Sequence, residues 1–89
     1  MANVRSYRLD VESKVIKRVH AKSGQDCIME CAVLEEEPCS SANYNKTATF
    51  RGQENCELLE TVDSEEYAKS LKRKLNFDHY IILSLETCM

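Results

Sequence analysis

Cysteine is the residue type in this chain with the widest choice of chemistry. Cys27, Cys31, Cys39 and Cys56 cluster in the middle, and Cys88 stands near the end. Oxidised in pairs, they would staple a small fold. As thiolates they would hold zinc, and beside a histidine one of them would serve as a nucleophile. The zinc pattern is half complete: C-x3-C fits a first ligand pair, but Cys39 and Cys56 form no second knuckle. A nucleophile needs a depressed pKa in an accessible cleft. The two histidines, His20 and His79, each sit in strand-like runs, and the cysteines are better used as cystines. No catalytic residue, metal ligand or cofactor is therefore assigned. With Gly24 and Gly52 as the only glycines, a Gly-rich phosphate loop is excluded.

The elements that must position these cysteines follow from local pattern. Cys27 and Cys31 are one helical turn apart and share a face. Ser23, with Asp26 three residues on, resembles a capping box. Ile28 and Leu34 extend the apolar stripe, and Pro38 stops it, which predicts a helix from about Gly24 to about Leu34. Upstream, residues 1–5 are expected to fray. Tyr7, Leu9 and Val11 alternate as a half-buried strand. Val15, Ile16 and Val19 form a second strand, bulged at Val15-Ile16. Downstream, Glu35-Glu36-Glu37 reads as a solvated loop. Cys39 to Tyr44 reads as a central strand close under the helix, where Ser40, Ser41 and Ala42 permit close approach and Asn43 can bond to backbone. Thr47 to Phe50 reads as a short hairpin arm, and Cys56 to Val62 as another strand. Asp63 with Glu66 is a cap signal, and Tyr67, Leu71 and Leu75 recur every four, so a second helix is expected at about 64–74. His79 to Leu85 is the most apolar stretch and reads as a buried strand.

The spacing C-x3-C-x7-C-x16-C resembles the PAN/apple module, with Asn-Tyr after the third cysteine in C-S-S-A-N-Y-N and the fourth cysteine inside C-E-L-L. That module occurs in plasma proteases, in the amino-terminal domain of hepatocyte growth factor and in adhesive extracellular proteins. V-E-S-K-V-I-K-R-V-H-A-K is similar to its early strands and F-D-H-Y-I-I-L-S-L-E-T-C to its closing strand, so the resemblance spans most of the chain. It implies an α+β fold: a single small domain, residues 1–89, with an antiparallel β-sheet wrapped around one central α-helix and stapled by disulfides. The expected helix at 64–74 departs from it, since a loop is usual there. The resemblance also implies the pairing Cys27–Cys56 and Cys31–Cys39, whereas four cysteines by themselves allow three pairings. The chain-entropy model assigns roughly 3.6 and roughly 2.6 kcal/mol to these two loop closures. In apple-type members a cysteine near the start pairs with one near the end. No cysteine precedes Cys27 here, so Cys88 is left for a cysteine upstream, for a disulfide-linked dimer, or for nothing.

Length and charge bound the partners. The chain has 89 residues, enough for one domain with a marginal core. Its net charge is −3, with 15 acids against 12 bases. An acidic, Trp-free chain without a matching motif is not expected to bind nucleic acid. No apolar run approaches the roughly 18 residues of a membrane span. The opening M-A-N-V-R-S-Y-R-L-D has no signal-peptide h-region; as a native start it would imply a cytosolic protein, but the odd cysteine is easiest to explain in a fragment of a larger extracellular protein, which is the expectation. Two basic clusters stand out: Lys14, Lys17, Arg18, His20 and Lys22, and Lys69, Lys72, Arg73 and Lys74. Some PAN members bind glycosaminoglycans, which makes Lys69, Lys72, Arg73 and Lys74 the candidate polyanion-binding residues. Asn45-Lys46-Thr47 is an N-glycosylation sequon.

The function expected is a non-catalytic extracellular recognition or adhesion module for a protein or glycan ligand. The alternative is an intracellular adaptor domain with free thiols or a cysteine-ligated structural zinc. Intact mass separates them. Reduction is expected to add about 4 Da, and peptide mapping to link 27 with 56 and 31 with 39; five free thiols would establish the alternative.

Overall fold

The first helix forms where its cap signal stands. Ser23 is extended (φ −158°, ψ 171°), and its Oγ accepts from the Asp26 N–H at 3.1 Å. The Asp26 carboxylate accepts in turn from the Lys22 N–H at 3.0 Å, so the reciprocal bond of the capping box is made one residue before the cap itself. The computed structural model describes residues 2–35, 37–48 and 52–82. Its elements are β1 (Ala2–Leu9), a 3-10 turn (Glu12–Lys14), β2 (Val15–Val19), α1 (Gly24–Ala32), β3 (Ser41–Asn45), β4 (Cys56–Leu59), α2 (Ser64–Ser70) and β5 (Leu71–Ile81).

The five strands form one antiparallel sheet in the order β1-β5-β3-β4-β2, with β3 central. Directly opposed residues share a face. One face carries Ala42, Tyr44, Cys56, Leu58 and Tyr80, which pack against Cys27, Ile28 and Cys31 of α1 as the apolar core. Gly24 lets the first turn of α1 lie against the Tyr80 ring, where any Cβ would collide. The bridge Cys27–Cys56 ties α1 to β4, and Cys31–Cys39 ties it to the chain entering β3, with Cα separations of 5.6 and 5.3 Å. Both lie within the usual reach of a cystine.

The opposite face carries Asn43, Glu57 and His79 in register across β3, β4 and β5. It is covered by the β1–β5 ribbon, which bends over it. Ala2 to Arg5 pair with Ile81 to Asp78, and Tyr7 to Leu9 pair with Arg73 to Leu71. Between them, Lys74 to Phe77 oppose Ser6 alone, so β5 bulges outward. Ser6 takes a left-handed φ of 65° and donates its N–H to Asp78 Oδ1 at 3.0 Å. Beyond the bulge, the Leu9 N–H donates to Asn43 Oδ1 and Asn43 Nδ2 donates to the Leu9 carbonyl, both at 2.9 Å. The same amide donates to Glu57 Oε1 at 3.0 Å and accepts from His79 Nδ1 at 2.8 Å.

Several expectations are corrected. Residues 2–5 do not fray, because β5 pairs them. The second helix ends at Ser70 rather than near 74: from Leu71 onward the backbone joins the ladder with Tyr7–Leu9, which outweighs a local helical period. β4 stops at Leu59 rather than Val62, since both of its partners run out there, at Ser41 and Val15. α1 stops at Ala32, short of Leu34, where the Leu34 N–H turns back to the Cys31 carbonyl at 3.3 Å. The bulge expected at Val15-Ile16 is present as a register shift between Val15 and Lys17. Cys88, Leu83 to Leu85, Glu36, and Thr49 and Phe50 of the arm expected at Thr47 to Phe50 lie outside the described residues.

Asn43→Ala would leave both backbone groups of buried Leu9, one Glu57 oxygen and the His79 ring without this partner. It is expected to lower stability in urea unfolding by about 3 kcal/mol or more. Exposed Asn3→Ala should stay within about 0.5 kcal/mol.

Candidate functional site

The charged residues of this fold divide into those bound to one another and those that are not. Arg8 grips Glu57 with two bonds, Nη2 to Oε2 at 2.7 Å and Nε to Oε1 at 3.0 Å. Arg18 adds a third, Nε to Oε2 at 3.2 Å, and reaches Glu12 at 2.6 Å. Burial by itself would raise the Glu57 pKa. The Arg8 and Asn43 hydrogen bonds and the Arg18 contact outweigh it and hold this carboxyl below its ordinary range. Lys14 pairs with Glu60 at 3.6 Å and Lys46 with Asp78 at 3.0 Å. The basic cluster at 14–22 is therefore partly neutralised within the fold, and its His20 Nδ1 lies 2.8 Å from the Gln53 carbonyl oxygen.

The second cluster is placed differently. Lys69 lies in the last turn of α2, and Lys72, Arg73 and Lys74 follow directly in β5. All four are exposed, and none forms an ion pair among the described residues. Strand alternation puts Lys72 and Arg73 on opposite sides of the ribbon, and Lys74 opens the bulge. The cationic run therefore covers both sides of the ribbon rather than forming one flat patch. Leu75, 70% exposed, stands beside them at the bulge. The first turn of α2 is capped by Asp63, which accepts from the Glu66 N–H at 2.8 Å, and its last residue is tethered where the Ser70 carbonyl accepts from the Asp10 N–H at 2.9 Å.

The four core cysteines are joined in two bridges, which removes the thiolates that the zinc alternative requires. Among the described residues, no group of three or more His, Cys, Asp or Glu side chains is placed to hold a metal. With its cysteines bridged, this described region also offers no thiol to pair with His20 or His79.

The PAN domain family model matches residues 2–88. The chain belongs to the PAN domain family. No curated protein sequence and no solved structure matches it significantly.

This PAN domain has a cleft of about 190 Å³ between the end of β3, β5 and α2. Leu9, Ile81 and Tyr67 make it apolar, with Ser41, and with Ser40 and Thr61 hydroxyls bonded at 2.6 Å. It is smaller than the roughly 300–1,000 Å³ of drug-sized sites.

Sequence reasoning weighs His79 only as a partner for a cysteine nucleophile and misses Arg8 and Glu57. The available signal was a charged or titratable residue inside an apolar run, Glu57 in C-E-L-L and His79 in H-Y-I-I-L. His79 is buried under the Tyr67 ring, with centroids 5.6 Å apart. Asn43 Oδ1 already accepts from the Leu9 N–H, so the His79 proton sits on Nδ1, and buried Nε2 has no partner among the described residues. Burial pushes the His79 pKa down to about 4 from 6.5. Between those values the unfolded chain binds a proton that the folded chain refuses, so stability is full above pH 6.5 and falls as the pH falls. The loss expected at pH 4 is about 3 kcal/mol, with Glu57 adding to it at lower pH. His79→Asn keeps a donor towards Asn43 and removes the titration. Urea midpoints across this window should therefore flatten in the variant; an unchanged slope would assign the pH dependence elsewhere.

Proposed function

We propose that this PAN domain is a non-catalytic extracellular recognition module whose α2–β5 ribbon binds a polyanionic glycan of glycosaminoglycan type. One observation carries the reading. Among the described residues, Lys69, Lys72, Arg73 and Lys74 are exposed and form no ion pair, although Lys69 shares a surface hollow with Asp63, Glu65 and Glu66, while Arg8, Lys14, Arg18 and Lys46 are engaged within the fold. In a chain of net charge −3, such a local excess acts at short range, since exposed charges are screened beyond about 10 Å at 0.1 M salt. A flexible linear polyanion suits cations on both sides of a ribbon better than a flat acidic surface does. Two cystines in so small a domain support an oxidising, extracellular setting. A protein ligand is the second reading, favoured by the apolar cleft beside α2.

The test is retention on immobilised heparin at low ionic strength. The variant K69A/K72A/R73A/K74A, checked for both bridges by mass, should elute at clearly lower salt than the parent. Exposed Lys17→Ala in the other cluster should elute with the parent. Equal retention of the quadruple variant would overturn the assignment.

A further inference from the structure

From the turn that closes β3, we infer that Asn45 is the acceptor of an N-linked glycan. The segment Asn45-Lys46-Thr47 has the acceptor sequence. Asn3, Asn43, Asn55 and Asn76 all lack a serine or threonine two residues on. The geometry adds what the sequence does not hold. Asn45 Oδ1 accepts from the Thr47 N–H at 3.1 Å and from the Thr47 hydroxyl at 2.9 Å, which closes an Asx turn. It also accepts from Asn76 Nδ2 at 3.3 Å. A backbone N–H only donates, so the amide orientation is fixed with its oxygen inward. Asn45 Nδ2 has no hydrogen-bond partner among the described residues, and Lys46 and Thr47 are exposed.

This arrangement is compatible with the modified form. In the transfer, a bond forms between Nδ2 and the anomeric carbon of a polyprenyl-diphosphate-linked oligosaccharide. One amide proton is lost to a base of the transferase, and the polyprenyl diphosphate leaves. The product amide keeps its oxygen and one N–H, so all three accepted bonds survive and the turn is undisturbed. The position also has a consequence for the ribbon. Asn76, which lies in the bulge, is bonded through its side chain to Asn45 and through its carbonyl to the Lys46 N–H at 2.7 Å. A glycan at Asn45 therefore stands beside the β5 bulge. Its presence is read independently of heparin binding, so failure of one reading does not imply failure of the other.

The experiment is expression of the chain behind a cleavable secretory signal in animal cells, with intact mass read on the lumenal pool so that export does not matter. A glycan mass should appear, and peptide-N-glycosidase in heavy-oxygen water should remove it and leave a labelled carboxylate at position 45. N45Q and T47A should lose the glycan, and T47S should keep it. The T47S–T47A pair keeps the test valid if N45Q misfolds. Parent protein with both bridges formed and a bare Asn45, or a glycan that survives in T47A, would overturn the inference.

Discussion

The carboxamide of Asn43 stands in for a missing piece of strand. Leu9 is buried, and its N–H and carbonyl point at the face of the sheet rather than at a neighbouring strand. Each such group would cost about 1–3 kcal/mol if left without a partner. One amide answers both and spends its second donor on Glu57 and its second acceptor capacity on His79. Because β3 is the central strand, this side chain joins the sheet's middle to the ribbon folded over it. Glu57 extends the connection to both edges, since Arg8 belongs to β1 and Arg18 to β2. Losing the amide would therefore disturb more than one contact: the buried carboxylate would keep its two cations but lose the neutral donor that lies between them and the core.

The two faces of the sheet are held by different physics. On the α1 side the core is apolar but small, and a helix of 9 residues has little stability by itself. Its inward positions Cys27 and Cys31, one turn apart, are each bridged to a different neighbour, so the helix cannot leave the sheet without breaking a covalent link. On the other side the cover is a ribbon with no covalent tie among the described residues. Hydrogen bonds to one asparagine and an ion pair to one glutamate fix it instead. Acid weakens that side first, through His79 and then Glu57, while the bridges are indifferent to pH.

What was legible in the sequence was local. Ser23 and Asp26, Asp63 and Glu66, and the paired Val15-Ile16 each act within a few residues, and the caps and the bulge are where those signals stand. The cysteine spacing carried the family, and with it the bridges and the wrapped helix. The misreadings share a cause. Residues 2–5 and Leu71 to Leu75 belong to one ribbon whose strands lie at opposite ends of the chain, so nothing near either strand announces the other. Tyr67, Leu71 and Leu75 share a helical period by coincidence: Leu71 pairs with Leu9 in a ladder, and Leu75 is exposed on a bulge. Glu57 and His79 were hidden for the same reason, because a buried charge is explained only by partners distant in sequence.

The separation of charges bears on where recognition can reside. Losing Arg8 would take both of its bonds from a buried carboxylate, which is strongly destabilising, and Arg18 supports the same group with a third. Lys69, Lys72, Arg73 and Lys74 carry no such burden, because they form no ion pair among the described residues and exposed cations contribute little to stability. They are therefore free to be set by a ligand rather than by the fold. The support beneath them is nevertheless fixed. Asp78 receives the Ser6 N–H and the Lys46 ammonium at the base of the bulge, and the Ser70 carbonyl receives the Asp10 N–H at the other end of the cationic run. The ribbon thus presents side chains that the core does not need on a backbone that the core holds at both ends. That combination would give the proposed binding surface preorganisation without tying its chemistry to stability.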